Sequence, residues 1–369
     1  MKKLIFSVLA VAAMASCSKS ELVERPVVDG DVAIKLTSEV LTVKQATKAP
    51  FEGITATDSL VARVIASTVS GAFDPTGAAK WHDDTICFVN GSDTKAVGYN
   101  PSRAYPTDGS SVFLCGLYPA SMTDWKNFST SVSGTPAVSK TTVEYTFDGK
   151  TDVMLAAEVE TKKSEVLATP AVYKKLVFNH MLTKLVIRAK AKTEAAIKDF
   201  GGITEIVLTK ANGLTPNTTM LGTLNDGTAD PSKAANFTLP DTMAFYTFDN
   251  TTTPGTAAAT DSVFTAKNVV LTVVDGTKVT VAPSIGYSMV APIIADGTED
   301  YELLVKTEKN TAGFPVKINL KDAAGNAFTG STQGKAFVVT ILFESTPIEA
   351  LGEVTDWENI VLPGDITIK

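Results

Sequence analysis

Apolar and polar residues alternate along most of this chain in short runs, the period of a strand with one buried face. Val32, Ile34 and Leu36 alternate with Ala33, Lys35 and Thr37, and Val40, Leu41 and Val43 continue the apolar content less regularly. Further strand-like runs cover residues 59–67, 85–89, 111–117, 141–147, 182–189, 204–209, 268–274, 301–306, 316–320 and 336–343. Asp74-Pro75, Asn90-Gly91, Asn100-Pro101 and Asp148-Gly149 punctuate them, and Asp275-Gly276 between two apolar runs predicts a hairpin. Only 192–200 predicts a helix, a short one. Segments 212–238 and 250–260, rich in Thr, Asn, Asp and Gly, predict long loops. No heptad or solenoid period is present, so the pattern predicts an all-β chain built of β-sandwiches.

The first 17 residues break this pattern. Lys2 and Lys3 precede an apolar run from Leu4 to Ala13, too short for a spanning helix, and Met14-Ala15-Ser16-Cys17 follows. Small residues directly before a cysteine resemble a bacterial lipobox. The expectation is a signal peptide over 1–16, cleavage before Cys17 and acylation of Cys17; the alternative is an ordinary signal peptide ending near a cysteine. A thiolate is the side-chain nucleophile best suited to taking up a lipid. Residues 17–30 read as a polar tether. After the first strand, Gln45-Ala46-Thr47-Lys48-Ala49-Pro50 is small, polar and basic, as an exposed protease-sensitive loop is.

Composition narrows the function. The 369 residues are 44% hydrophobic and 20% charged, enough for large cores, with a net charge of −7 that argues against nucleic acid. Residues 1–48 hold seven basic and five acidic residues, so the remainder holds 26 and 35, a balance of −9. Catalytic chemistry is thin. The two histidines, His82 and His180, have no Gly-x-Ser-x-Gly elbow near them, and they are too few, with the cysteines, for a zinc site. No phosphate-binding or dinucleotide motif occurs. Asp296-Gly297-Thr298-Glu299-Asp300 lacks the spacing of a calcium loop and reads as a solvated turn. Cys87 and Cys115 lie in apolar strand-like runs and read as buried hydrophobes, with a disulfide left open. The residues point to a structural or binding protein rather than an enzyme, with no cofactor and no metal.

Several segments in order resemble the fimbrillin family of Bacteroidetes, the subunits of type V pili. These are the lipobox; the first strand followed by Ala46-Thr47-Lys48-Ala49; Phe113-Leu114-Cys115-Gly116-Leu117-Tyr118-Pro119; Asp152-Val153-Met154-Leu155-Ala156; Phe178-Asn179-His180; and 334–340 followed by 348–354 and Asp356-Trp357. The resemblance covers nearly the whole chain. It implies two transthyretin-like β-sandwich domains in tandem, over 49–170 and 171–369, although the Phe-x-His strand might instead close the first. It also implies a propeptide over 17–48 with a removable first strand, cut between Lys48 and Ala49 by a trypsin-like protease. Family sites are best known after Arg, and here the residue is Lys.

The implied function is that of a pilus subunit: a precursor anchored to the outer membrane by lipid, then a homo-polymer or a polymer with other pilus subunits at the cell surface. Loss of the first strand would open a groove for a neighbour's C-terminal strand. The expected donor residues are Ile360, Val361, Leu362, Ile366 and Ile368, with 348–354 as a second candidate and an intrinsic last strand as the alternative. The competing function is a monomeric surface lipoprotein that binds glycans or host proteins, with Trp81 and Trp125 as candidate stacking residues, although any one Trp more often packs in a core.

Overall fold

The computed structural model describes residues 32, 34–40, 59–74, 85–89, 97–98, 104–123, 125–213, 219–224, 228–229, 243–244, 246–249, 256–257, 284–322, 324–344, 351–356 and 366–368. The strands of its first half are β1 (Lys35–Val40), β2 (Ser59–Ser67), β3 (Thr85–Val89), β4 (Val97–Gly98), β5 (Val112–Tyr118), β6 (Trp125–Ser133), β7 (Val138–Thr146), β8 (Met154–Thr161) and β9 (Lys174–His180), with the helical turn α1 (Lys163–Val166) before β9. Then come β10 (Thr183–Ala191), helix α2 (Glu194–Phe200), β11 (Ile203–Ala211), β12 (Thr219–Thr223), β13 (Thr228–Ala229), β14 (Met243–Ala244), β15 (Tyr246–Asp249) and β16 (Thr256–Ala257). The last are β17 (Ser284–Val290), β18 (Ile294–Ala295), β19 (Tyr301–Thr307), β20 (Phe314–Ile318), β21 (Gly330–Ser331), β22 (Lys335–Phe343), β23 (Leu351–Asp356) and β24 (Ile366–Ile368).

The all-β expectation holds. One sheet runs β3-β2-β5-β8-β9-β1-β4 and a second β16-β15-β17-β10-β22-β23, with β24 also on β22. Two four-stranded sheets, β13-β12-β7-β6 and β14-β11-β19-β20, and the small pair β18-β21 complete the described residues. Alternation in the sequence becomes alternation in burial: Tyr301, Leu303, Val305 and Thr307 of β19 point inward, and Glu302, Leu304 and Lys306 are only half-buried. Strand β10 differs, being buried along nearly all its length because it runs inside its sheet between β17 and β22. The expected helix is α2, capped by the Thr193 hydroxyl, which accepts from Ala196 N at 3.2 Å. Its Phe200 ring meets Phe314 and Phe343 edge-on.

Two cores result. The larger joins Ile65, Cys115, Leu117 and Leu155 of the first sheet to Val143 and Tyr145 of β7, and continues through Leu185, Ile206, Leu303, Phe337 and Phe343. The smaller covers the opposite face of the first sheet, with Ile34, Val64, Leu114, Met154, Leu176 and Phe178. That first sheet is therefore buried on both faces.

Two expectations meet the sheet order directly. The loop reading of 212–238 is corrected, because Thr219–Thr223 forms β12, antiparallel to β7. A Thr-rich strand shows no apolar alternation, yet Thr223 and Leu224 are buried there and Leu224 N donates to Thr141 O at 3.0 Å. This pairing also crosses the expected division at 170, and β9, beyond that division, joins the first sheet through β8 and β1. The expected strand over 268–274, the hairpin at Asp275-Gly276, His82 and Trp81 lie outside the described residues.

Register decides the cysteine question left open by the sequence. Cys87 faces Val61 on one side of β2, and Cys115 faces Ile65 on the other. Two strand spacings plus a four-residue offset put their Cα atoms more than about 10 Å apart, beyond disulfide reach. Cys115 is a free, fully buried thiol, and burial, followed by the charge of Glu158, pushes its pKa well up. In a Cys17→Ser/Cys87→Ser protein, Cys115 should therefore resist a thiol reagent at neutral pH until denaturant is added; rapid labelling of the folded chain would contradict this placement.

Candidate functional site

Strand β1 lies parallel to β9, with Leu36 opposite Lys174 and Val40 opposite Phe178. On its other side β4 pairs only with Lys35 and Leu36. Strand β8 pairs with β9 from Phe178 to His180. Among the described residues, the first part of β9 thus has β1 as its ladder partner. Ile34, directly before β1, is fully buried in the smaller core with Leu176 and Phe178. The Val32 carbonyl accepts from Tyr105 N at 2.9 Å, which ties the approach to β1 into the body.

A second arrangement of this kind occurs at the other end of the chain. One side of β22 pairs with β10 from Ala336 to Phe343. On its other side, β23 pairs antiparallel from Lys335 to Thr340, and β24 then pairs parallel from Ile341 to Phe343. The tail therefore takes up β22 where β23 stops. Both terminal segments lie parallel to the strand they complete.

The two acceptor strands are linked through one joint. Only Met181 and Leu182, both fully buried, separate β9 from β10. Met181 N donates to Val153 O at 2.8 Å and Gly334 N to Leu182 O at 3.0 Å. Gln333 Nε2 donates to His180 O at 3.4 Å. The buried Thr183 hydroxyl donates to Thr332 O at 2.8 Å, and Thr332 Oγ1 accepts from Ile293 N at 2.8 Å. The residues just before β22 thus clasp the start of β10.

Three of the sequence fragments singled out above converge beside this joint. Cross-strand register sets Tyr118, Met154 and His180 in one row across β5, β8 and β9. His180 Nδ1 and Asp152 Oδ2 are 2.6 Å apart, with side-chain exposures of 6% and 0%. Asp152 Oδ1 is buried without a hydrogen-bond partner. Burial, and after it the Asp152 charge, raises the Tyr118 phenol pKa. Gly116, two residues before Tyr118, leaves room for the Phe178 ring: a Cβ there would stand 2.6 Å from it. Tyr118 and Asp152 are not predicted as site residues, although the aspartate directly before the apolar run Val153-Met154-Leu155 is the sequence signal of a buried carboxylate.

Among the described residues no cluster of His, Cys, Asp or Glu is arranged to hold a metal. In the turn read from the sequence, Asp300 is fully buried and its carboxylate accepts from Asp296 N, Gly297 N and Leu320 N. Trp125 is buried, 4% exposed, with its ring 4.5 Å from Tyr145 and Nε1 donating to Pro119 O at 3.0 Å. Of the two readings open for Trp125, sugar stacking and core packing, the second holds: the ring is held in the core. Of the expected assembly residues, Ile366 and Ile368 lie in β24, opposite Ile341 and Phe343. Cys17, Lys48, Ala49, Ile360, Val361 and Leu362 lie outside the described residues.

No family model matches the sequence, and no curated protein does. Among solved structures, the chain is similar to a candidate cell adhesion protein from Bacteroides uniformis, at 17% identity and a TM-score of 0.44, covering 89% of this chain and 99% of that one. It is similar to a fimbrial protein from Bacteroides vulgatus, at 12% identity and a TM-score of 0.44, with 87% and 98% covered. It is also similar to a fimbrial assembly protein from Parabacteroides distasonis, at 11% identity and a TM-score of 0.35, with 90% and 100% covered. At these values function does not transfer from one chain to another.

Leaving a buried polar group without its hydrogen-bond partner costs about 1–3 kcal/mol. His180→Ala, which removes the ring nitrogen 2.6 Å from Asp152 Oδ2, should lower unfolding free energy by at least about that amount. Adding Asp152→Ala should cost less than the sum of the two single changes. A urea-denaturation double-mutant cycle measures both, and strict additivity would show that the pair is uncoupled.

Proposed function

We propose that this chain is a structural subunit of a cell-surface pilus that supports adhesion or biofilm formation. It is exported as a lipoprotein precursor acylated at Cys17, activated by a trypsin-like cut between Lys48 and Ala49, and polymerised by strand exchange. The observation that carries this reading is the pairing of both chain-terminal segments, β1 on β9 and β24 on β22, each parallel to its partner. The lipobox and the cleavable loop read from the sequence add to it.

The mechanism follows from backbone satisfaction. Loss of the first strand would leave the donors and acceptors of β9 without the β1 ladder over Lys174–Phe178. Loss of Ile34 along with it would uncover apolar surface worth about 1.5–3 kcal/mol for that side chain alone. An added strand removes both penalties at once. The tail is suited to the role because Ile366 and Ile368 alternate with Thr367, so a strand formed from it offers one apolar face. Detaching β24 from β22 breaks only the pairings at Ile341, Leu342 and Phe343.

The two positions also lie apart. β24 sits level with Ala189–Ala191, the end of β10 farthest from β9, through the shared register on β22. The six to eight residue steps of β10 from Thr183 to Ala189–Ala191 put about 20–26 Å of strand between that level and the joint. A donor and an acceptor at separated positions make a heterologous contact, which repeats into a filament when the rotation does not close.

Lys48→Ala should yield a longer surface protein that fails to form fibres, and deletion of 360–369 should give a cleaved, folded, non-polymerising subunit. N-terminal sequencing of sheared fibres, with size exclusion and circular dichroism of the truncated protein, checks these outcomes. Normal fibres from Lys48→Ala would end the activation step at this residue. A tail deletion that still polymerises would move the donor to 348–354, and one that unfolds the monomer would make the tail an intrinsic strand. Cys17→Ala should abolish incorporation of a clickable fatty acid.

A further inference from the structure

The hairpin of β6 and β7 leaves the body of the molecule. Its ladder runs from Ser129↔Thr142 to Ser133↔Val138, while β12 pairs with β7 only from Thr142 to Thr146. Residues 129–138 are all exposed, including Val132 at 64% and Val138 at 57%. Among the described residues β6 is the last strand of its sheet. Among the described residues its outer side over Ser129–Ser133 is therefore an open strand edge.

Open edges in monomeric proteins are blunted by charge, proline or a bulge. Strand β20, the last of another sheet, carries Pro315 and Lys317, both exposed. The first part of β6 is blunted as well: Lys126 is exposed, the register shifts between Lys126 and Ser129, and Asn127 takes a φ of 52°. Beyond that bulge the protection stops. Ser129-Thr130-Ser131-Val132-Ser133 has no charge, proline or glycine.

The segment is self-complementary. Paired antiparallel with itself about Ser131, it sets Ser131 opposite Ser131, Thr130 opposite Val132 and Ser129 opposite Ser133. A β-branched pair recurs on each side of the axis, an arrangement favoured across strands. No charge meets a like charge. The nearest cation, Lys140, faces Ser131 from β7 and so lies one strand further in. Three strand spacings then separate the two lysines by about 14 Å, more than the screening length of about 8–10 Å in physiological salt.

We infer that the β6–β7 arm is a contact between two copies of this chain, formed by antiparallel pairing of the Ser129–Ser133 edges across a two-fold axis. Such an isologous contact closes on itself and stops at two. It is distinct from the strand exchange proposed above and does not rest on it. Between assembled subunits it would join filaments side by side.

The test uses the full-length chain without proteolysis, in sedimentation velocity over a concentration series. The wild type should show a concentration-dependent monomer–dimer equilibrium. Thr130→Lys/Val132→Lys places lysine opposite lysine twice and should raise the dimer dissociation constant at least about tenfold. Thr130→Lys/Val132→Glu places opposite charges together at the same positions and should restore dimer formation. Both pairs lie on an exposed arm, and unchanged circular dichroism and thermal midpoint confirm that the fold is intact. A chain that stays monomeric at every concentration overturns the inference, as does a dimer equally strong in the Lys/Lys variant or one that Lys/Glu fails to restore.

Discussion

Every buried backbone donor and acceptor needs a partner, and in this molecule that requirement falls hardest on β9 and β22. β9 lies inside its sheet and β22 next to the edge of its own; β1 completes one side of β9, and β24 the end of β22 beyond β23. The remaining strands are served largely by neighbours folded beside them, as β2, β3 and β5 serve one another in antiparallel order. The ladders of these two strands are thus completed in part by β1 and β24, elements of six and three residues. Around them the structure is fixed by side chains. Phe178 crosses the space over Gly116, His180 holds Asp152, and Thr183 and Thr332 bind the start of β10 to the approach to β22.

Parallel pairing makes those terminal elements separable. Antiparallel neighbours can be joined by a tight turn, which keeps the partner beside its strand at high effective concentration. Parallel neighbours need a long connection, so no tight turn keeps β1 beside β9 or β24 beside β22. β1 and β9 stand well apart in sequence although adjacent in space. A cut in the connection after β1 leaves it bound only by non-covalent contacts, whereas a cut in the β6–β7 turn would leave both strands tied into the body. Topology thus selects which strand would be free to leave under the proposed mechanism.

Most of the fold was legible because burial on one face writes a period of two into the sequence. The runs at 59–67, 85–89 and 301–306 correspond to β2, β3 and β19 nearly residue for residue. The strands that escaped lack that contrast. In β6 only Trp125 is buried, and the rest of the strand is polar and largely exposed. β12 is short and Thr-rich, and is recruited by its pairing with β7 rather than by its own pattern. The site was legible only in pieces. Fragments ending in Tyr118-Pro119, beginning at Asp152 and ending at His180 stood out one by one, but no spacing rule says that β5, β8 and β9 will set Tyr118, Met154 and His180 in one row. That is a property of sheet order, which a single sequence does not contain. Trp125 shows why composition alone leaves two readings open: an aromatic that could stack on a sugar is held against Tyr145 and Pro119 in the core, the more frequent fate of a Trp.

The treatment of edges ties these threads together. A chain with this many strands has many edges, and a surface-exposed edge pairs indiscriminately unless it is blunted. Here β20 is blunted by Pro315 and Lys317, and the base of β6 by a bulge at Asn127 and its bond to Glu144, with Asn127 Nδ2 donating to Glu144 Oε2 at 2.6 Å. Edges that are to receive a strand cannot be protected in this way, because a proline or a buried charge at the acceptor would exclude the incoming strand as well. They must be covered until needed. β9 meets that condition: Leu176 and Phe178 are fully buried and apolar, and β1 pairs with the backbone beside them. The Ser129–Ser133 edge takes a third course, exposed but short and weakly apolar, so that a single pairing there is reversible and concentration-dependent. Repetition of such a contact strengthens it further, through the gain that multivalent contacts draw from effective concentration.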